Sequence, residues 1–439
     1  MEFPFLLLSA LLGILLGAFA NYAASAWAWT PRRENPWCAS GWTPPWWYRI
    51  PVIGWLGMRK ETARFGRRVW LRPLLVELAM AAFAVWFFQK SVAGPAVLLF
   101  VNEIPVTPTA VWSLVARFIF QMLFVALMLA ASLIDFDEKT IPDRITIGGT
   151  LFALICACIF PLDLGTYRLG NSDLPLTIAP VNGLLDFPLT QMETGDDFLV
   201  PLTASAPNPP LDVLRSPFGG SFGLISALVC WWGWCFALMD RRWRTGRGTV
   251  WAWRIFWLRL LRTRSTRRLF YLGEFGTFAI IFFWMQAGPQ WVSLWSALLG
   301  MGISGAFIWM VRIGGKLALD REAMGFGDVT LMAMFGAFLG WQPCVVLFFI
   351  APFAGILLGL LLILLFKDPE IPFGPFLCAA ALLTMLYWPM LWALTMPIFK
   401  LGSLLVTLGL GLWLLMVLLL SLILWVEKKL GIVPCLFLS

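Results

Sequence analysis

Apolar residues run along this chain in long blocks separated by short polar breaks rich in glycine, proline and charge. The blocks approach the roughly 20 residues that a helix needs to cross a bilayer. Read against the breaks, they predict about eleven spans, near 4–25, 73–88, 111–134, 145–162, 219–239, 269–287, 292–311, 328–340, 344–366, 375–393 and 399–426. The stretch 328–340 is short for a span and is expected to be tilted, broken or partly submerged. An all-α polytopic membrane protein follows, because a chain in lipid must satisfy its backbone polar groups within itself.

Basic residues then orient the spans. Segment 26–72 carries Arg32, Arg33, Arg49, Arg59, Lys60, Arg64, Arg67, Arg68 and Arg72, and segment 240–268 carries ten arginines. Both fall on one side if the spans alternate, and the positive-inside rule makes that side cytoplasmic, with the N-terminus outside and the C-terminus inside. The opening block, Met1 to Ser25, leads with Glu2 rather than with a basic cluster, so it reads as a retained first span rather than a cleaved signal. In 240–268 arginines alternate with Trp243, Trp251, Trp253, Phe256 and Trp257, a pattern suited to a helix on an anionic leaflet or to a solvated basic connector.

These boundaries divide the chain into six parts. Residues 1–90 hold two spans and the basic loop, and 91–162 hold the spans carrying a first aspartate motif. An extracytoplasmic insertion follows at 163–218, additional spans at 219–313, a core at 314–398 and an extra span at 399–439.

Composition narrows the chemistry. The chain is 60% hydrophobic and 13% charged and contains no histidine, which removes histidine triads, the HExxH zinc helix and any histidine proton relay. Cys38, Cys156, Cys158, Cys230, Cys235, Cys344, Cys378 and Cys435 are scattered, mostly inside apolar blocks, and read as packing residues; Cys156 and Cys158 stand too close for ordinary zinc-ligand spacing. The net charge of +8 sits in the loops between spans, where it reports orientation and contact with membrane lipids rather than nucleic-acid binding.

Two carboxylates then stand out. Asp135, in Ala131-Ser132-Leu133-Ile134-Asp135-Phe136-Asp137, and Asp328, in Gly325-Phe326-Gly327-Asp328, each occupy a junction between an apolar block and a polar break. On the alternating topology both reach the cytoplasmic boundary. Meeting within a few Å, two such groups would share a proton and supply an acid and a base for peptide hydrolysis without metal. Gly325 and Gly327 would let the backbone approach an extended substrate or adopt positive φ, and Gly336 and Gly340 offer a small face for close helix contact. The plainer alternative makes Asp328 a helix cap and Asp135 a boundary carboxylate.

Ile134-Asp135 followed by Ile141-Pro142-Asp143, and Gly325-Phe326-Gly327-Asp328 followed by Leu331 and Gly336, resemble the two signature motifs of the type IV prepilin peptidases, which are GxGD-type intramembrane aspartyl proteases. Gly17-Ala18-Phe19-Ala20-Asn21, Pro36-Trp37-Cys38, Ile50-Pro51-Val52-Ile53-Gly54-Trp55-Leu56, Val76-Glu77-Leu78 and Ile371-Pro372-Phe373-Gly374-Pro375 resemble further pieces of that family in the same order. The resemblance implies a multi-pass enzyme of the bacterial inner membrane, removing basic leader peptides from type IV pilin and type II secretion pseudopilin precursors. It implies Asp135 and Asp328 as catalytic residues, with Gly325, Phe326, Gly327 and Asp143 as supporting motif and Asp143 capping the next helix; Asp137 is the other competing acid nearby.

Departures from the family shape the cofactor expectation. Many members carry two CxxC pairs in the first cytoplasmic loop, where only Cys38 remains here, so no zinc is expected and the loop's tryptophans and prolines are expected to hold it. Bifunctional members also methylate the new amino terminus with S-adenosylmethionine; nothing here resembles a dinucleotide-type glycine fingerprint and the loop linked to that activity is altered, so methyl transfer is not expected. Thr330 stands where the family often has lysine. Two other functions fit the composition: a proton-coupled transporter using Glu77, Glu274, Asp135 and Asp328, and a catalytically silent assembly factor.

Overall fold

The computed structural model of the 439-residue chain describes residues 2–30, 36–37, 44–93, 108–159, 166–169, 198–201, 219–239, 254, 257–258, 263–286, 289–319, 324–366, 372–399, 401 and 403–430. Cys38, most of 163–218 and most of 240–268 lie outside the described residues. The helices are α1 (Glu2–Ala26), α2 (Ile53–Met58), α3 (Thr62–Phe65), α4 (Arg68–Phe88), α5 (Pro108–Glu138), α6 (Asp143–Ile159) and α7 (Gly219–Leu238). They continue with α8 (Arg264–Gln286), α9 (Pro289–Leu319), α10 (Phe326–Leu339), α11 (Trp341–Phe366), α12 (Gly374–Phe399) and α13 (Ser403–Leu430). Each of the apolar blocks is a helix. Within the insertion, β1 (Thr166–Leu169) and β2 (Phe198–Pro201) pair antiparallel, a small sheet that the apolar pattern does not foretell.

Six of these helices are long and apolar enough to cross a membrane, within α1, α4, α5, α7, α8 and α9, and shorter apolar stretches lie in α10, α11, α12 and α13. Apart from that two-stranded sheet, the protein is an all-α, multi-pass membrane protein. Its outward faces are apolar, as lipid requires: Leu8 on α1, Phe275 on α8, Phe353 on α11 and Leu412 on α13 are all exposed.

Helix α10 is the exception. Every residue from Asp328 to Leu339 is buried, so the short block is sheathed in protein rather than lipid. Phe335 and Phe338 pack against Phe124 of α5, with Phe338 also 4.7 Å from Phe120 between ring centroids. On the other side α10 crosses α9 where Gly336 meets Gly300, and a Cβ on either glycine would collide with the other's carbonyl. Glycine pairs of this kind let two backbones touch and convert that closeness into van der Waals contact, the main attraction between helices in lipid. Gly13 and Gly17 dock α1 on α4 the same way; a Cβ on Gly13 would lie 2.6 Å from the Met80 carbonyl oxygen.

Candidate active site

Three helix ends build the site. Helix α5 carries Asp135 in its last turn and stops four residues later at Lys139, which takes a left-handed φ of 54° and donates its N–H to the Asp135 carbonyl at 2.8 Å. That turn is ordinarily a glycine position, because a side chain in the left-handed region is disfavoured. It reverses the chain so that Ile141 and Pro142 are buried and Asp143 opens α6.

Helix α10 starts with Gly325 as its N-cap, so Asp328 occupies the third helical position. Its carboxyl reaches back to accept the Gly325 N–H, one half of a capping box. The capping expectation for Asp328 is therefore met in part: it caps from inside the first turn rather than from the N-cap. Gly325 adopts φ −66°, and the described glycines with positive φ are Gly66 and Gly340, so the expectation of positive φ at Gly325 and Gly327 is not realised. Space is what Gly327 provides, since a Cβ there would sit 3.1 Å from the Ile141 Cβ.

Helix α12 supplies the third end. The Gly374 N–H donates to Asp135 Oδ2 at 3.0 Å. Asp135 and Asp328 are 5% and 9% exposed, and they lie within electrostatic reach of each other and of the buried Cys378 thiol, which hydrogen-bonds Ser132. The two aspartates singled out in the sequence are thus brought together at one end of the helical body.

The neighbouring acids are occupied elsewhere. Asp137 faces α4 and pairs with Arg72 Nη1 at 2.8 and 2.9 Å, while Glu138 accepts the Trp29 N–H at 2.8 Å, the Thr30 N–H at 3.0 Å and the Thr30 hydroxyl. Asp143 is exposed in the first turn of α6, the place suited to its expected capping role. Thr330 turns its hydroxyl into its own helix, onto the Gly327 carbonyl at 2.9 Å. The Arg312 guanidinium of α9 sits over the Phe326 ring, 5.6 Å from its centroid.

A second buried carboxylate lies in the basic-loop region. Glu77 of α4 is fully buried and accepts from Val52 N at 2.6 Å, Trp55 Nε1 at 2.7 Å and Asn21 Nδ2 at 3.2 Å. The loop's aromatic residues do pack together, Trp37 on Trp55 and Trp47 on Tyr48. Its anchor, however, is this carboxylate, which also fixes Val52 at φ 62°. Glu274, on α8, has no partner among the described residues. Among the described residues no chain of carboxylates links these two to the aspartates.

Residues 227–360 match the type IV leader peptidase family. The matched stretch runs from α7 into α11, contains Gly325-Phe326-Gly327-Asp328, and takes in most of the spans at 219–313 set apart above as additional. The chain is also similar to curated proteins named prepilin leader peptidase/N-methyltransferase. The protein from Aeromonas hydrophila is 35% identical over 99 residues, 22% of this chain and 34% of the relative. Those from Pseudomonas putida and Legionella pneumophila are 32% identical over 111 and 117 residues, 25% and 26% of this chain and 38% and 40% of theirs. The chain thus spans about a third of the length of the leader peptidases it matches. No solved structure matches the chain.

Proposed function

We propose that this chain is an aspartic endopeptidase that removes basic leader peptides from type IV prepilin-like or pseudopilin-like single-span precursors at the cytoplasmic face of the bacterial inner membrane. The observation that carries this reading is the meeting of Asp135 and Asp328, from helices far apart in sequence, at one end of the bundle with acceptor capacity left over. The similarity of residues 227–360 to the type IV leader peptidase family supports the substrate class.

In the proposed reaction one carboxylate takes a proton from water while the water oxygen bonds to the scissile carbonyl carbon. The other carboxyl gives its proton to the carbonyl oxygen. The resulting tetrahedral adduct collapses as the first carboxyl passes the captured proton to the departing amine nitrogen, the C–N bond breaks, and the second carboxylate recovers its proton from the adduct's hydroxyl. A low-dielectric, protein-lined site strengthens each of these charge interactions relative to water.

No metal enters this scheme, and the first loop offers only Cys38 as a thiolate, so chelation of the purified enzyme is expected to leave its rate unchanged. Methyl transfer, the second activity in the relatives' names, is likewise not part of the proposal; the cleaved product should keep an unmethylated amino terminus by mass spectrometry. The deciding experiment incubates the full chain in proteoliposomes with a pilin-like precursor bearing a basic leader. Cleavage by the wild type and its loss in Asp135→Asn and in Asp328→Asn is the expected result. Full activity in both variants would end the reading.

A further inference from the structure

We infer that Gly374 and Ile141 are positioning residues for the aspartate pair, the first orienting the Asp135 carboxyl and the second setting its spacing from Asp328. This rests on the peptidase reading and deepens it.

Gly374 is the first residue of α12, and its N–H is one of the donors that a helix start leaves without an internal acceptor. The next residue, Pro375, has no N–H, while Phe376 and Leu377 donate to the Phe373 carbonyl at 3.1 Å. Gly374 is left to point outward, and it meets the carboxylate of a helix 239 positions away. The positive end of the α12 dipole lies behind that bond and favours a negative group in front of it.

Glycine is required here for room, not for flexibility. Its φ is not positive, whereas a Cβ on it would run into the Asp135 carboxyl group and lie 3.1 Å from Ile141 Cδ1. The Ile141 side chain fills a second gap of the same kind. Its Cβ and Cγ1 would lie 3.1 and 3.6 Å from a Cβ on Gly327, one residue before Asp328. One buried side chain therefore touches the starts of both α10 and α12 and acts as the spacer between the two acids. An aspartate pair works only if both oxygens face the same water, and a shift near 1 Å is worth ~100-fold in rate.

The test uses the full chain in proteoliposomes and the same pilin-like precursor, measuring kcat and KM separately. Gly374→Ala is expected to lower kcat ~100-fold with KM unchanged, since binding groups are untouched while the Asp135 carboxyl is displaced. Ile141→Ala introduces no clash but costs core packing and therefore stability; in protein that is folded and inserted it should also lower kcat at constant KM by letting the helix starts drift. The double variant Ile141→Val with Gly374→Ala removes the clash with Cδ1 but not the one with Asp135, and should stay as slow as Gly374→Ala. Recovery in that double variant would overturn the inference, because the loss would then come from packing against Ile141. Wild-type kcat in both Gly374→Ala and Ile141→Ala, alongside dead aspartate variants, would overturn it while leaving the peptidase reading intact. Active aspartate variants would instead remove the reading itself.

Discussion

Two buried carboxylate sites stand in this protein, and they are built to opposite specifications. Glu77 has both oxygens engaged, by the Val52 and Trp55 N–H groups and the Asn21 amide. Asp135 and Asp328 each accept one backbone N–H among the described residues and face each other instead of a cation. A buried carboxylate with three donors on its two oxygens is a structural rivet, since hydrogen bonds to a charged group contribute ~1.5–3 kcal/mol each and little acceptor capacity remains. A pair with unused lone pairs is kept in an uncomfortable state, and the cost is tolerated where the same groups must bind water and move protons. Burial alone does not separate the two cases; the count of donors around each oxygen does.

The sharpest way to break this comparison is to neutralise each carboxylate in turn. Asp135→Asn or Asp328→Asn should lower cleavage by at least ~10²–10⁴-fold, the scale of lost acid–base catalysis, while thermal stability in detergent holds or rises because a strained charge is gone. A drop in melting temperature with cleavage preserved would invert the assignment of the two sites.

Glu77→Gln should do the reverse. An amide cannot accept from all three donors, so at least one is orphaned at a cost of ~1–3 kcal/mol, and limited proteolysis should open the chain between residues 44 and 67. If the loop stays protected and only turnover falls, the rivet description of Glu77 is wrong.

Trp55→Phe sharpens the same point more gently, deleting one donor while keeping an aromatic ring; the expected loss is ~1–2 kcal/mol, read from denaturant or thermal unfolding. The smallest effect belongs to Asp137→Asn. Its partner Arg72 is partly exposed, so the pair contributes less than ~1 kcal/mol, and cleavage should continue at the wild-type rate. A dead Asp137→Asn enzyme would move the catalytic carboxylate two residues along α5, to the face toward α4.

Much of this architecture is legible in the chain itself. The apolar blocks become α1 and α4 to α13 because lipid leaves a spanning backbone no alternative to helix, and Asp135 and Asp328 are conspicuous because ionisable groups in such blocks are costly. The small face at Gly336 and Gly340 is also readable, but its partner Gly300 is not, since any helix in the bundle could have met it. Glu77 carries a visible signal, a lone acid inside an apolar block. Its neighbours Asn21 and Val52 come from a different helix and a loop, so its role could not be separated from an ion path by inspection. Gly374 is quoted in a motif but points nowhere in sequence, because nothing in Ile371-Pro372-Phe373-Gly374-Pro375 says which acceptor its N–H will find.

By itself the sequence determined the elements, their lipid-facing character and the two acids worth watching, because these depend on local periodicity and on the cost of charge in an apolar run. The tertiary structure alone decided that α10 is sheathed in protein, that Ile141 wedges between two helix starts, and that Gly374 turns its N–H onto Asp135. Such facts are distances between residues separated by many helices, and only the packing of the whole bundle fixes them.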